Sequence, residues 1–248
     1  MPADERSRQE EFEALRKQIL NHPGEFANKR WTSLQMTHTA LLANEAELRA
    51  VVRRAEADKT YLTALLTNEY FERDAYFHHL FRTLHNYLAM LVTLVDHSRN
   101  HMKSYAGTEF AREQKRRNDI VRESVAGSIL RDFRNYLLHV SIPPMEFSVH
   151  WSREKPETEP FEAVFSTERL LKWSNWSSAS KLHLRGVETI NIGDIVDQYS
   201  EVVTTYYEWL YAQYPLLHGA DIEDRNRLVT LYEQFWAPRP DGHEEKQF

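Results

Sequence analysis

Phe77-His78-His79-Leu80-Phe81-Arg82-Thr83-Leu84-His85-Asn86-Tyr87-Leu88-Ala89-Met90-Leu91-Val92-Thr93-Leu94-Val95 is the stretch that decides the fold class. Phe77, Leu80, Phe81, Leu84, Leu88, Leu91 and Val95 recur at i, i+3, i+4 and i+7, the spacing at which side chains share one face of an α-helix. The pattern predicts a helix over about Glu72 to Met102. After a polar joint at Ser104 to Thr108, a second stripe (Val121, Val125, Ile129, Phe133, Tyr136, Val140) predicts another helix from about Glu109 to Val140. Pro143-Pro144 stop it, because proline disfavours α geometry in the residue before it and has no N–H to donate. Two long antiparallel helices of this kind predict a mainly α chain built as a helical bundle.

Toward the N-terminus, Asp4 to Leu20 reads as an amphipathic helix ending at the turn signal Asn21-His22-Pro23-Gly24. Leu34 to Ala57 and Thr60 to Leu66 read as two further helices. Beyond the prolines the period changes to two. Met145, Phe147, Val149 and Trp151 alternate with polar residues, and so do Phe161, Ala163 and Phe165 after a polar turn. This predicts a small β-hairpin insertion at about 145–166. Ser166 or Thr167 caps a short helix to Trp173, Ser174 to Ser180 reads as loop, and Val187 to Ile192 as a third short strand. Helices follow over Asp194 to Tyr214 and Ile222 to Trp236, then a disordered tail, 238–248. With no internal repeat and no low-complexity linker, residues 1–237 are expected to form a single domain.

Seven glycines and nine prolines in 248 residues argue against a many-turned β fold. The absence of cysteine excludes disulfides, thiolate zinc sites and cysteine nucleophiles. A charged start (Met1 to Glu13) argues against a signal peptide, and the apolar stretch Tyr87 to Val95 is too short to span a bilayer. A cytoplasmic protein with no membrane partner is expected. The net charge of −6 is unlike that of a dedicated nonspecific nucleic-acid binder, so any such contact requires a local basic patch. No Walker loop, dinucleotide fingerprint, nucleophile elbow or HExxH pattern occurs, and neither cofactor nor metal is expected.

Arg134-Asn135-Tyr136-Leu137-Leu138-His139 is the segment that carries a chemical signal. It resembles the signature of the HEPN family (higher eukaryotes and prokaryotes nucleotide-binding): an Arg, commonly a polar residue next, and a His four to six positions on, near the end of a long helix that another long helix precedes. The resemblance spans about Glu72 to Val140. It implies a metal-independent endoribonuclease or toxin-type effector in prokaryotic defence, with an antitoxin or other regulatory protein as partner. It also implies a two-fold homodimer with paired motifs in one cleft. On that resemblance His139 exchanges protons with the ribose 2′-hydroxyl or the leaving oxygen, a task suited to an imidazole, which titrates near neutrality. Arg134 grips the scissile phosphate through its planar fork, and Asn135 orients the phosphate or the imidazole.

Helix geometry sets a condition on this chemistry. At about 100° per residue, Arg134 and His139 point about 140° apart, whereas Asn135 stacks with His139 at i+4. Ser128, Asp132, Asn135 and His139 form a polar strip, and Arg131 and Arg134 lie beyond it. Either the long Arg side chain folds round, or the last turn distorts, or a second chain completes the site. Resemblance to HEPN proteins implies the third. Lys115-Arg116-Arg117, with Arg112 and Arg122, forms a basic cluster upstream, so Lys115, Arg116 and Arg131 are candidate RNA-binding residues.

Plainer readings compete. His139 can serve the negative end of a helix dipole, and a charge run is commonly a solvated face. Arg16…His22 and Arg73…His78 are spaced much as Arg134…His139 is. His97 and His101, an i, i+4 pair beside Asp96, read as an exposed helical face rather than a metal site. Ala126-Gly127-Ser128 suit close approach of another helix, from a partner or from within. Trp173 and Trp176 can stack on bases or fill the core. The alternative function is a non-catalytic helical module that binds a protein partner or a nucleotide.

Overall fold

The computed structural model describes residues 3–67, 71–143, 145–149 and 161–235. Its helices are α1 (Ala3–Leu20), α2 (Pro23–Ala57), α3 (Lys59–Thr67), α4 (Phe71–Lys103), α5 (Glu109–Glu123), α6 (Val125–His139), α7 (Thr167–Leu170), α8 (Ser178–Arg185) and α9 (Ile192–Gln234). Strands β1 (Met145–Val149), β2 (Phe161–Ser166) and β3 (Thr189–Asn191) form one antiparallel sheet in that order. The chain is mainly helical, with a small sheet inserted between α6 and α9. The far end of the first expected strand (Trp151), the hairpin tip and the tail 238–248 lie outside the described residues.

Two compact units partition the chain: residues 1–33 with 210–248, and residues 34–209. In the first, α2 begins at Pro23, eleven residues before the start that the apolar pattern suggests. Pro23-Gly24 opens a helix instead of only closing one, as proline's fixed φ suits the first helical position. Gly24 is required there: a Cβ would lie 2.1 Å from the Asp221 carbonyl oxygen. Helix α9 likewise runs unbroken through Pro215, where a break was expected. Contacts on both sides of the proline hold the helix together. Trp31 stacks on Tyr214 at 4.0 Å and meets Tyr211 edge-on, and the Tyr214 hydroxyl donates to the Ala27 carbonyl. About three turns on, the Arg225 guanidinium donates to buried Glu25 at 2.8 Å.

The second unit packs α4 and α6 around Leu84, Tyr87, Leu88, Ile129, Leu130 and Phe133, all essentially without solvent exposure. Phe133 also meets Phe165 of β2 and Trp176, joining helices to sheet. Because β2 is the central strand, Val164 is buried as well as Ala163 and Phe165, so the alternation read for this strand is partly lost. The Trp176 indole N–H donates to the Leu170 carbonyl at 2.7 Å, which makes Trp176 a core residue.

One expected element is divided. The helix read over Glu109 to Val140 breaks at Ser124, whose backbone is extended (φ −57°, ψ 146°). The Ser124 hydroxyl donates to the Val121 carbonyl at 2.8 Å and accepts from the Gly127 N–H at 3.0 Å. It therefore closes α5 and opens α6 with one oxygen. Val125 and Val140, at the two ends of α6, are about half exposed, whereas Ile129, Phe133 and Tyr136 within it and Val121 before the break stay buried. Gly127 sits inside the turn: a Cβ would lie 2.6 Å from the Val121 carbonyl oxygen and 3.2 Å from the Tyr199 ring. The small-residue stretch thus serves packing within the chain, against α9.

Candidate nucleic-acid interface

Helix α6 presents Gly127, Arg131, Arg134 and Asn135 along one wall of a cavity of about 640 Å³ in the second unit. Their spacing, i, i+4, i+7 and i+8, is that of a single helical face. Across the cavity, α4 contributes Leu91, Val92, Val95 and Met102, and α5 contributes Ala111 and Val121. Tyr199 of α9 also lines it. The charged lining comprises Arg99, Lys103, Lys115, Arg122, Arg131 and Arg134 against Asp96 and Asp119.

These cations differ in how far they are neutralised. Arg99 pairs with Asp96 at 3.1 Å, Lys115 with Asp119 at 2.6 Å, and Arg122 with both Asp119 and Glu123. Lys103 donates to the Asn100 side chain. Among the described residues Arg131 donates only to neutral oxygens, the Arg122 carbonyl and the Ser128 hydroxyl, both at 3.3 Å. Arg134 and Asn135 make no side-chain hydrogen bond or ion pair to any described residue. The positive charge that no carboxylate of the described residues pairs therefore belongs to Arg131 and Arg134 on the α6 wall and to Lys103 at the end of α4. Asp119 is held below the ordinary carboxylate range, first by the Lys115 ammonium and then by Arg122, with slight burial opposing.

Of the residues singled out in the sequence, Arg131, Arg134, Asn135 and Lys115 line this one cavity. His139 and Arg116 are not among the lining residues. His139, the last residue of α6, is exposed and continues the Arg131–Asn135 row by one more i+4 step, about 6 Å further along the axis. Arg116 is exposed and donates twice to Glu113 at 2.8 Å, a solvated i, i+3 pair. Arg73 and His78 are both exposed near the start of α4.

Asp132 lies on the strip read as polar, but it faces inward. It is buried, and its carboxylate accepts from the Ser177 N–H at 2.8 Å and from the Ser180 hydroxyl at 2.6 Å. It thereby fastens the N-terminus of α8, a helix read as loop from its serines, to the helix bearing Arg134. No known protein-family model matches this chain, and no curated protein or solved structure shows significant similarity to it.

One further sequence reading changes in the structure. His101 is buried and meets Gln114 and Tyr105, and His97 is within 2.7 Å of the Thr37 hydroxyl, so the pair is not an exposed face. Among the described residues no three His, Asp or Glu side chains come together as ligands for a metal ion, and no helix is long and apolar enough to cross a membrane. Tyr199 was legible in the sequence only as one of α9's apolar residues. It is 4% exposed, lines the wall of the cavity, and its hydroxyl makes no hydrogen bond to a described residue.

Proposed function

We propose that this chain is a metal-independent endoribonuclease of the kind the Arg134–His139 segment resembles, a HEPN-like effector acting on RNA. The observation that carries the reading is the pair Arg134 and Asn135, unpartnered among the described residues on a wall whose positive charge is not neutralised. In this reading a phosphate of a single strand docks on Arg134 and Arg131. The strand leaves the cavity over the end of α6, where His139 follows Asn135 in the same row. His139 withdraws the 2′-hydroxyl proton, the 2′-oxygen attacks phosphorus, and the 5′-oxygen leaves with a proton, giving a 2′,3′-cyclic phosphate. Arg134 offsets charge on the phosphoryl oxygens as the bond forms. Because Arg134 and His139 diverge around the helix, a homodimer that pairs two α6 ends supplies the second proton-transfer group. An antitoxin-like protein that covers the same ends would regulate it.

The test is cleavage of total RNA and tRNA in EDTA by the wild type, His139→Ala and the surface control His78→Ala, with mass checked by light scattering. Cleavage lost only in His139→Ala, by a hundredfold or more, is expected. Intact RNA after incubation with a folded, dimeric wild type would sink the nuclease reading. A non-catalytic module binding a protein partner or nucleotide is the second reading. The net charge of −6 and the position of His139 outside the cavity lining favour it.

A further inference from the structure

We propose that the cavity between α4, α5 and α6 is a base-binding pocket, which holds one unpaired nucleobase of an RNA strand while Arg134 and Arg131 grip the adjoining phosphate. The proposal rests on the nuclease reading for its source of ligand, but its geometry stands apart from His139. The two walls differ in chemistry. The α4 wall offers Leu91, Val92, Val95 and Met102, aliphatic surface suited to the face of a flat ring. The α6 wall offers the two guanidinium groups that no carboxylate neutralises. A ligand that is flat and apolar on one side and anionic on the other satisfies both walls, and a nucleotide has that form. A volume of about 640 Å³ lies within the usual range for small-molecule pockets, roughly 300–1,000 Å³.

Tyr199 adds a polar group to the pocket wall. Its ring is packed against the turn at Gly127, and its hydroxyl, which makes no hydrogen bond to a described residue, is not sealed from solvent. A bound group with a matching polar atom can take the place of water on it. Positioned on the pocket wall near Arg131, it can donate to a base edge or a phosphate oxygen. Tyr199 would then be a specificity residue that no signature spacing marks. Unpaired RNA is the strand form that fits, because a base enters such a pocket only when it is splayed from its neighbours.

Isothermal titration of the full chain tests this with adenosine 3′-monophosphate, ribose 5-phosphate and an uncleavable 2′-O-methyl tetranucleotide. The nucleotide is expected to bind at least tenfold more tightly than ribose 5-phosphate, and the tetranucleotide more tightly still. Arg134→Gln should weaken nucleotide binding tenfold or more, Tyr199→Phe severalfold, and Val95→Trp, which fills the pocket, should abolish it, each with unchanged circular dichroism. Equal affinity for nucleotide and ribose 5-phosphate would overturn the proposal, as would a folded wild type that binds neither. Equal affinity for mononucleotide and tetranucleotide would overturn the strand as the occupant. Base-dependent binding without RNA cleavage would retain the pocket and reject the nuclease. Cleavage by a chain that shows no such binding would do the reverse.

Discussion

A single carboxylate, Asp132, ties the helix of the candidate site to the segment around Ser177 and Ser180. Asp132→Ala leaves a backbone N–H and a buried hydroxyl without their acceptor, and it should lower stability by about 2 kcal/mol in urea unfolding. A loss near zero would mean that water replaces the carboxylate. Gly127→Ala should cost a further, separate amount of about 1–3 kcal/mol, read by thermal melting, since its Cβ would meet the Val121 carbonyl oxygen. Arg134 and Asn135 were singled out by their resemblance to a signature and their place near the end of an apolar-framed helix, and both line the cavity. Asp132 and Tyr199 were not legible in that way. Nothing local distinguishes an inward carboxylate from a surface one, or a pocket-lining tyrosine from a core one, until the neighbouring helices are in place.

Elements were legible where a strong period met a strong stop. Helix α4 is close to the span its apolar stripe predicts, and the strands follow the alternation of Phe147 and Phe165. Misreadings fell where a local signal has two meanings. Pro23-Gly24 closes one helix and opens the next, Ser124 divides what a continuous stripe unites, and the serines before α8 form its cap rather than a loop. The gap read between Tyr214 and Ile222 is helical instead, with the Trp31–Tyr214 stack before Pro215 and the Arg225–Glu25 pair after it. Proline within a helix costs up to about 3 kcal/mol, so Pro215→Ala should raise the melting temperature of the first unit. An unchanged or lower value would show that the proline is set in a bend that the packing requires.

At the scale of the whole molecule, the two units should differ in their response to acid. Burial works against the Glu25 carboxylate, but hydrogen bonds and charge from Arg225 and Lys29 hold its pKa below the ordinary carboxylate value. A depressed folded pKa gives stability that is present above the unfolded value and lost as pH falls through the folded one. The first unit should therefore loosen at a pH below the ordinary carboxylate range, with hydrogen exchange rising over residues 23–33 and 210–230 before the rest. Glu25→Gln should remove that acid dependence and cost about 2 kcal/mol at neutral pH. Exchange that rises uniformly across the chain in the wild type would refute the assignment. None of this was readable from composition, because a charge of −6 says how many carboxylates there are and not which one is paired inside.

The joint at Ser124 also limits how this chain can drift. One hydroxyl donates to the Val121 carbonyl behind it and accepts from the Gly127 N–H ahead, so the position demands a side chain that does both at short reach. Alanine does neither, and an ionised aspartate can only accept. Glycine at 127 is bound to the same choice, since an added methyl would press on the very hydroxyl that caps it. The two positions are therefore coupled by contact. A library randomised at both should return survivors with serine or threonine at 124 and glycine at 127, and repair of one should restore little without the other.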